Sequence, residues 1–197
     1  MTYSVLVVDP PWSYGSATGR TRTAEFHYDT LGNNGKEVNR KTGAGIESII
    51  RTTPVPSLSG NDAHLYLWAT NPKLPFAFEI MRAWGFEYKT TLTWVKTTAS
   101  GAVHGGGMGW FFRGATEHVL FGVKGRKPIP SAIRRPNVVQ AQPREHSEKP
   151  WAFYELLRGL YPEGERMIDI YARAHHARCD AWGTEAPRSD SQTSEKP

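Results

Sequence analysis

A short apolar run near the start of the chain ends in an acid, two prolines and a tryptophan. Residues 5–8, Val-Leu-Val-Val, have the aliphatic character of a strand buried on both faces of a parallel sheet. Asp9-Pro10-Pro11-Trp12 follows directly, and its prolines cannot donate hydrogen bonds to a sheet. Ligands in open α/β sheets bind beyond the carboxyl ends of the strands. The sequence therefore predicts a parallel α/β sheet with Asp9 at its ligand-binding edge.

The tetrapeptide after this strand has the chemistry needed to hold an amino group on a flat ring. The lone pair of such an exocyclic amine is delocalised into the ring, so its nitrogen attacks a methyl group only when acceptors draw its two hydrogens away. The Asp9 carboxylate is one acceptor, and the carbonyl of Pro10, on a backbone stiffened by proline, is a second. Trp12 offers a ring on which a base could stack. The alternative is a strand-terminating turn with Trp12 in the core.

Apolar strand patterns alternate with amphipathic helical patterns along the chain. Phe76, Ile80 and Trp84 recur at helical spacing, whereas Leu92 and Trp94 share one face of a strand. This alternation predicts an α/β fold with a mostly parallel sheet and helices on both faces. The third and fourth strands lack a helical crossover and are expected to pair antiparallel. The predicted strands are 3–8, 64–69, 88–95, 117–123 and 166–171, and the predicted helices are 45–52, 73–84 and 149–160.

Length and composition indicate one folded domain. The chain has 197 residues, enough to bury a core, and we predict a single domain over residues 1–185 with a disordered, polar tail over 186–197. A net charge of +5 favours an anionic partner such as nucleic acid. The single cysteine, Cys179, suits a reducing compartment, and no apolar stretch reaches the roughly 18 residues of a membrane span. We therefore expect a cytoplasmic protein without a membrane partner.

At Asp9-Pro10-Pro11-Trp12 the chain resembles the MT-A70-like family of S-adenosylmethionine-dependent adenine N6-methyltransferases, which carries a DPPW signature. The resemblance continues in order through residues 65–71, 94–96, 109–113, 117–125, 146–150 and 168–173. It implies a Rossmann-like methyltransferase fold of permuted order, in which the catalytic motif precedes the cofactor strand. It also implies S-adenosyl-L-methionine as the methyl donor and Asp9, Pro10, Pro11 and Trp12 as the catalytic residues.

The resemblance assigns cofactor binding to two late segments of the chain. Lys149 is placed against the carboxylate of the methyl donor, where an ammonium supplies three hydrogen-bond donors; the alternative is a solvated lysine at a helix start. Arg173 is placed near the ribose or the same carboxylate, although Ala172 stands where family members often carry glycine, and the alternative is a surface salt bridge. The full predicted set of cofactor-binding residues is Asp9, Lys149, Asp169, Arg173, His175, His176 and Glu185.

A zinc site is the competing interpretation of the same region. His175, His176 and Cys179 lie close together in the sequence, but a structural zinc site needs four ligands at matched spacing. These three residues supply only part of such a set. We therefore predict no metal.

Two basic loops and several polar residues are the candidates for substrate binding. Phosphate contacts need only positive charge on accessible segments, and a base extruded from a duplex can stack on an aromatic ring. For each charged residue the alternative is a solvated loop. The predicted substrate-binding residues are Tyr14, Arg20, Arg22, Lys96, Arg113, Glu117, Arg134 and Arg135.

The leading hypothesis from the sequence is an adenine N6-methyltransferase that acts on DNA. DNA is favoured over RNA by analogy, because we expect a lone catalytic domain without the zinc fingers or partner-binding regions of the eukaryotic RNA enzymes. RNA methylation stays an alternative, as does a non-catalytic nucleic-acid-binding subunit with the same fold. The intact tetrapeptide favours an enzyme. A homodimer or a pair with a paralogue is also compatible with the sequence.

Overall fold

The fold is described from a computed structural model of the chain. The described residues are 1–12, 48, 50–107, 109, 111–129, 131–144, 148–176 and 178–183. The predicted tail over 186–197 lies outside them, and so does the domain boundary at 185. Among these residues, no helix is both long and apolar enough to cross a membrane.

Seven strands in the described part of the chain form one mixed sheet. They are β1 (Tyr3–Val8), β2 (Ser59–Ala69), β3 (Glu87–Lys96), β4 (Thr116–Lys124), β5 (Val138–Ala141), β6 (Met167–Ile170) and β7 (Cys179–Trp182). Their order across the sheet is β5-β3-β4-β2-β1-β6-β7. β4 runs antiparallel to its neighbours β2 and β3, and the remaining pairs are parallel. The predicted antiparallel pairing of the third and fourth strands is confirmed.

Helices cover both faces of this sheet. They are α1 (Val55–Leu58), α2 (Leu74–Ala83) and α3 (Trp151–Leu160). Because successive side chains of a strand point to opposite faces, Leu6 and Val8 pack in the same core as Ile80 of α2, whereas Val5 and Val7 pack in a second core with Phe153 of α3. A buried core thus lies on each face of the sheet, which agrees with the predicted α/β architecture and the Rossmann-like methyltransferase fold.

The sequence pattern does not predict two of the strands, β5 and β7. β5 and β7 are only four residues long, and each pairs with a single neighbour at an edge of the sheet. In the predicted helix over 45–52, residues 48 and 50–52 are described and are helical. The predicted link over 54–60 instead contains α1 and the start of β2.

The strand directions bring residues from distant parts of the sequence to the edge formed by the carboxyl ends of the parallel strands, which is the predicted ligand-binding edge. β1 and β6 run parallel, and the N–H of Asp9 donates to the carbonyl of Ile170 (3.2 Å) at their carboxyl ends. β4 runs the other way, so its amino-terminal end lies beside the carboxyl end of β2, where Ala69 pairs with His118. Lys96, the last residue of β3, lies at the same edge, since Trp94 pairs with Glu117.

Candidate active site

Four charged side chains form a connected cluster at this edge. The Lys149 ammonium lies 3.1 Å from Oδ1 of Asp9 and 3.0 Å from Oε2 of Glu117. Lys96 binds the other oxygen of Glu117, Oε1, at 2.7 Å. We call Asp9, Lys149, Glu117 and Lys96 the charged cluster. Its members come from the ends of β1, β3 and β4 and from the segment before α3, so the fold alone brings them together.

Burial makes the charged cluster electrostatically strong. The side chains of Lys149 and Asp9 are 11% and 14% exposed. Burial raises the pKa of Asp9, against the opposing attraction of Lys149. Burial also disfavours the charge of Glu117, but Lys149 and Lys96 outweigh it and lower the pKa of Glu117 to about 2. For Lys149, burial is outweighed by Asp9 and Glu117, which raise its pKa. The ammonium is therefore held charged between two carboxylates.

The turn after β1 is compact. The N–H of Trp12 donates to the carbonyl of Pro10 at 2.8 Å, and its indole Nε1 donates to the carbonyl of Trp68 at 2.9 Å. The Trp12 ring is 4% exposed and packs edge-on against Phe76, 5.9 Å between ring centres. In this structure the ring belongs to the core, as in the alternative interpretation of the sequence, and the face expected to stack on a base is covered.

A second polar group lies behind the charged cluster, under α3. Asp169 of β6 is 3% exposed and accepts a hydrogen bond from the hydroxyl of Tyr154 at 2.7 Å. Burial is the largest cause that raises the pKa of Asp169, to about 7. The ring of His176 stacks on Tyr154, with 3.3 Å between ring centres. Burial and His175 lower the pKa of His176 to about 4, so this imidazole is neutral at pH 7.

The segment that leaves β6 turns sharply at this edge. Tyr171 has a φ of 66°, and its N–H donates to the carbonyl of Trp182 at 2.6 Å. Gly183 is required here, because a Cβ would lie 2.9 Å from the Cα of Tyr171. Arg173, just beyond, is half-buried and attracts the Asp9 carboxylate electrostatically, whereas His175 is exposed. The turn thus directs Arg173 toward the charged cluster.

The predicted substrate-binding residues are scattered. Lys96 and Glu117 join the charged cluster, and Arg113 is exposed on the loop between β3 and β4. Arg134 and Arg135 line a cavity of about 350 Å³ with apolar residues of β3, β4 and α3. They are not among the residues that surround Asp9. The predicted Tyr14, Arg20, Arg22 and Glu185 lie outside the described residues.

Two residues of this region were not predicted. Trp68 supplies the carbonyl that fixes Trp12, and the Lys149 ammonium lies 5.0 Å from the centre of its ring. Trp68 is the second-last residue of the apolar strand β2, so the rule that ligands bind beyond strand ends, applied to Asp9, also points to its neighbourhood. Tyr154, the donor to Asp169, had no comparable signal, because a tyrosine on the buried face of a helix is common in cores.

The mostly parallel sheet with helices on both faces is that of the Rossmann-like methyltransferase fold, and the turn that carries Asp9 lies where this fold binds ligands. Sequence comparison narrows this class. The sequence profile of the MT-A70 family matches residues 3–185. The chain belongs to the MT-A70 family.

Individual relatives come from bacteria and eukaryotes. The type II methyltransferase M.MunI of Mycoplasma sp is 29% identical over 196 residues, which cover 94% of this chain and 78% of the relative. The N(6)-adenosine-methyltransferase MT-A70-like protein of Arabidopsis thaliana is 28% identical over 89% of this chain and 22% of its own length. The human N(6)-adenosine-methyltransferase catalytic subunit METTL3 is 27% identical over 89% of this chain and 26% of its own length. The chain thus spans most of the first relative and about a quarter of the other two.

Proposed function

We propose that this protein transfers a methyl group from S-adenosylmethionine to N6 of adenine in DNA. The observation that carries the proposal is the position of Asp9, which follows a buried strand at the ligand-binding edge and has one carboxylate oxygen fixed by Lys149. A carboxylate held in this way is an oriented acceptor for an amino group. The MT-A70 assignment over residues 3–185 supports the reaction class.

The turn after β1 supplies two acceptors for the two hydrogens of an adenine amine. Lys149 binds Oδ1 of Asp9, which leaves Oδ2 to accept one hydrogen. The Pro10 carbonyl already accepts the N–H of Trp12, but a carbonyl oxygen has two lone pairs, so it can accept the second. Withdrawal of both hydrogens makes the nitrogen more pyramidal and more nucleophilic.

The residues around Asp9 fit the methyl donor in charge and hydrogen-bonding capacity. An ammonium has three N–H donors, and Asp9 and Glu117 account for two of those of Lys149, so a third can bind a carboxylate. Arg173 adds a second cation at the same edge. Nδ1 of His176 is buried without a hydrogen-bond partner among the described residues, which suits a further polar contact. When bound, S-adenosylmethionine supplies a methyl group on a positively charged sulfur.

DNA is proposed as the polymer by analogy with the type II methyltransferase M.MunI, which we take to act on DNA. The chain spans 78% of M.MunI but only 26% of METTL3. The similarity to M.MunI therefore includes most of that protein rather than a domain within a larger chain. RNA remains the alternative polymer, since N(6)-adenosine-methyltransferases are also among the relatives. The net charge of +5 fits either nucleic acid.

The test is methylation of unmethylated genomic DNA and of total RNA by the purified chain, with digestion and detection of N6-methyl nucleosides by mass. We expect N6-methyladenine in DNA, and a loss of about 100-fold or more in rate for Asp9→Asn. Asp180→Asn is the matched control, because Asp180 is exposed and binds only the hydroxyl of Tyr3 among the contacts described. Product from RNA alone would refute the choice of DNA. Full activity of Asp9→Asn would refute the role of Asp9.

A further inference from the structure

Two adjacent phenylalanines stand almost entirely in solvent on the loop between β3 and β4. Phe111 is 95% exposed and Phe112 is 90% exposed. Val103, on the same loop, is 62% exposed. Large aromatic side chains gain stability by burial, so a pair held outside the core indicates a surface that meets another molecule.

The loop holds this pair by close backbone contacts rather than by a core. A Cβ at Gly109 would overlap the carbonyl of Phe112, and a Cβ at Gly107 would overlap the backbone of Gly114. The absence of a side chain at Gly107 and Gly109 therefore permits the close approach of their backbone to Gly114 and Phe112. Arg113 adds a hydrogen bond to the carbonyl of Gly107 at 3.4 Å. These contacts hold the backbone around Phe111 and Phe112, which we call the loop tip.

Both ends of the loop are attached to the charged cluster. The loop starts after Lys96 and ends before β4, whose second residue, Glu117, binds Lys96 at 2.7 Å. The N–H of Lys96 donates to the carbonyl of Ala115 at 2.8 Å. Phe112 and Glu117 are five positions apart in the chain, so their Cα atoms lie at most about 18 Å from each other. Even this maximum is only about five base-pair steps of 3.4 Å along a duplex, so one duplex could contact both phenylalanines and the charged cluster.

We propose that Phe111 and Phe112 form a wedge that enters duplex DNA beside the target adenine and occupies the stack from which the adenine is extruded. The inference rests on the proposed function, because an amine inside a duplex reaches Asp9 only after extrusion of its base. Apolar wedges inserted between base steps are an established way in which proteins unstack DNA. The exposed Arg113 beside the tip carries the charge that a phosphate backbone attracts.

The test compares one DNA in two forms, unmethylated genomic DNA as a duplex and the same DNA after heat denaturation. The variants are the double substitution Phe111→Ala/Phe112→Ala and, as a matched control on the same loop, Val103→Ala. Both phenylalanines are exposed, so the double variant is expected to fold, and calorimetric binding of S-adenosylmethionine checks this. Sedimentation velocity measures the oligomeric state of each protein.

We expect the double variant to methylate duplex DNA about 5- to 150-fold more slowly, the range given by loss of base–aromatic stacking. Methylation of denatured DNA needs no extrusion and is expected to fall by less than about threefold. Val103→Ala should match the parent protein on both DNAs. Equal losses on both forms, or no loss, would overturn the wedge.

Two other outcomes separate the wedge from competing explanations. A parent dimer that becomes monomeric in the double variant would show that the tip binds a second copy of the chain, and this would overturn the wedge. A parent protein that methylates only denatured DNA would overturn the wedge and leave adenine methylation in place. A parent protein that methylates neither form would overturn the proposed function and the wedge with it.

Discussion

Replacement of Lys149 by methionine is the most informative perturbation of the charged cluster. Methionine retains the length of the lysine stem and removes the ammonium. Two carboxylates then lose the cation that lies 3.1 Å and 3.0 Å from their oxygens. Glu117 keeps Lys96 as a partner, so the uncompensated charge falls on Asp9.

The size of the effect follows from distance and burial. At an effective dielectric constant of about 20, an ion pair at 3 Å is worth roughly 5 kcal/mol before desolvation is subtracted. Loss of one partner of a buried pair costs about 3–5 kcal/mol of unfolding free energy. Asp9 and Lys149 are 14% and 11% exposed, so this buried value applies. We expect the free energy of unfolding of Lys149→Met to be about 3–5 kcal/mol lower than that of the parent protein at pH 7.5, a difference we call the deficit.

The loss should depend on pH, because protonation of Asp9 relieves it. Burial already raises the pKa of Asp9, and removal of Lys149 raises it further. The folded variant then binds a proton that the unfolded chain, with an ordinary carboxyl pKa near 3.9, releases. The stability of the variant is therefore not reduced by Asp9 below the unfolded pKa of about 3.9. It falls as pH rises from there through the pKa of Asp9 in the folded variant. Neutralising a carboxyl costs about 1.4 kcal/mol per pH unit, so the deficit should shrink to about 1.5 kcal/mol at pH 5.

The assay is urea unfolding of both proteins at pH 5 and pH 7.5, with the free energy extrapolated to water. Lys89→Met is the matched control, because Lys89 pairs with Glu87 at 2.6 Å with both side chains substantially exposed, and such pairs contribute about 0–1 kcal/mol. A deficit of Lys149→Met below about 1 kcal/mol at pH 7.5, or one that is independent of pH, would refute the reasoning.

Three further perturbations test other parts of the structure. Tyr154→Phe removes the hydroxyl that binds the buried Asp169 and should cost about 1–3 kcal/mol in urea unfolding; an unchanged midpoint would contradict this. Burial lowers the pKa of the fully buried His64 to about 4, so between pH 4 and 6.5 the unfolded chain binds a proton that the folded protein does not. The free energy of unfolding therefore falls as pH drops through that window. In urea unfolding, His64→Gln should reduce the fall between pH 6.5 and 4.5 by about 2 kcal/mol. Arg113→Gln should reduce the salt dependence of DNA binding, measured by anisotropy, by about one phosphate contact, whereas an unchanged slope would exclude Arg113 from the backbone contacts.

The central strands could be predicted from sequence because their local pattern and their environment agree. β1 is an apolar run and its last four residues are buried, as expected for a strand covered on both faces. β7 reads Cys-Asp-Ala-Trp, with half-buried and exposed positions, and forms by pairing with β6. Its stability comes from a neighbour distant in sequence rather than from its own composition, so no local pattern marks it.

The site could be predicted only one residue at a time. The strand-end rule and the family resemblance singled out Asp9 and Lys149, but as a catalytic and a cofactor residue without a contact between them. Their ion pair depends on the docking of α3, and the approach of Glu117 depends on the reversed direction of β4. The burial of Trp12 depends on α2, which supplies neighbours such as Phe76. These are tertiary relations, which the spacing of residues in the chain does not contain.

If Asp9 accepts the adenine amine as proposed, the charged cluster gives Lys149 a positioning role in addition to any contact with the methyl donor. A carboxylate at the end of a strand can rotate about its side-chain bonds, and each orientation presents a different oxygen to a ligand. The contact from Lys149 to Oδ1 selects one orientation of Asp9, and Glu117 in turn fixes the ammonium. Under the proposed function, an adenine amine would meet an acceptor whose direction is already set, so less rotational freedom would be lost when the base enters. The same contact opposes the burial that raises the pKa of Asp9 and so favours the ionised carboxylate, whose two oxygens are both acceptors.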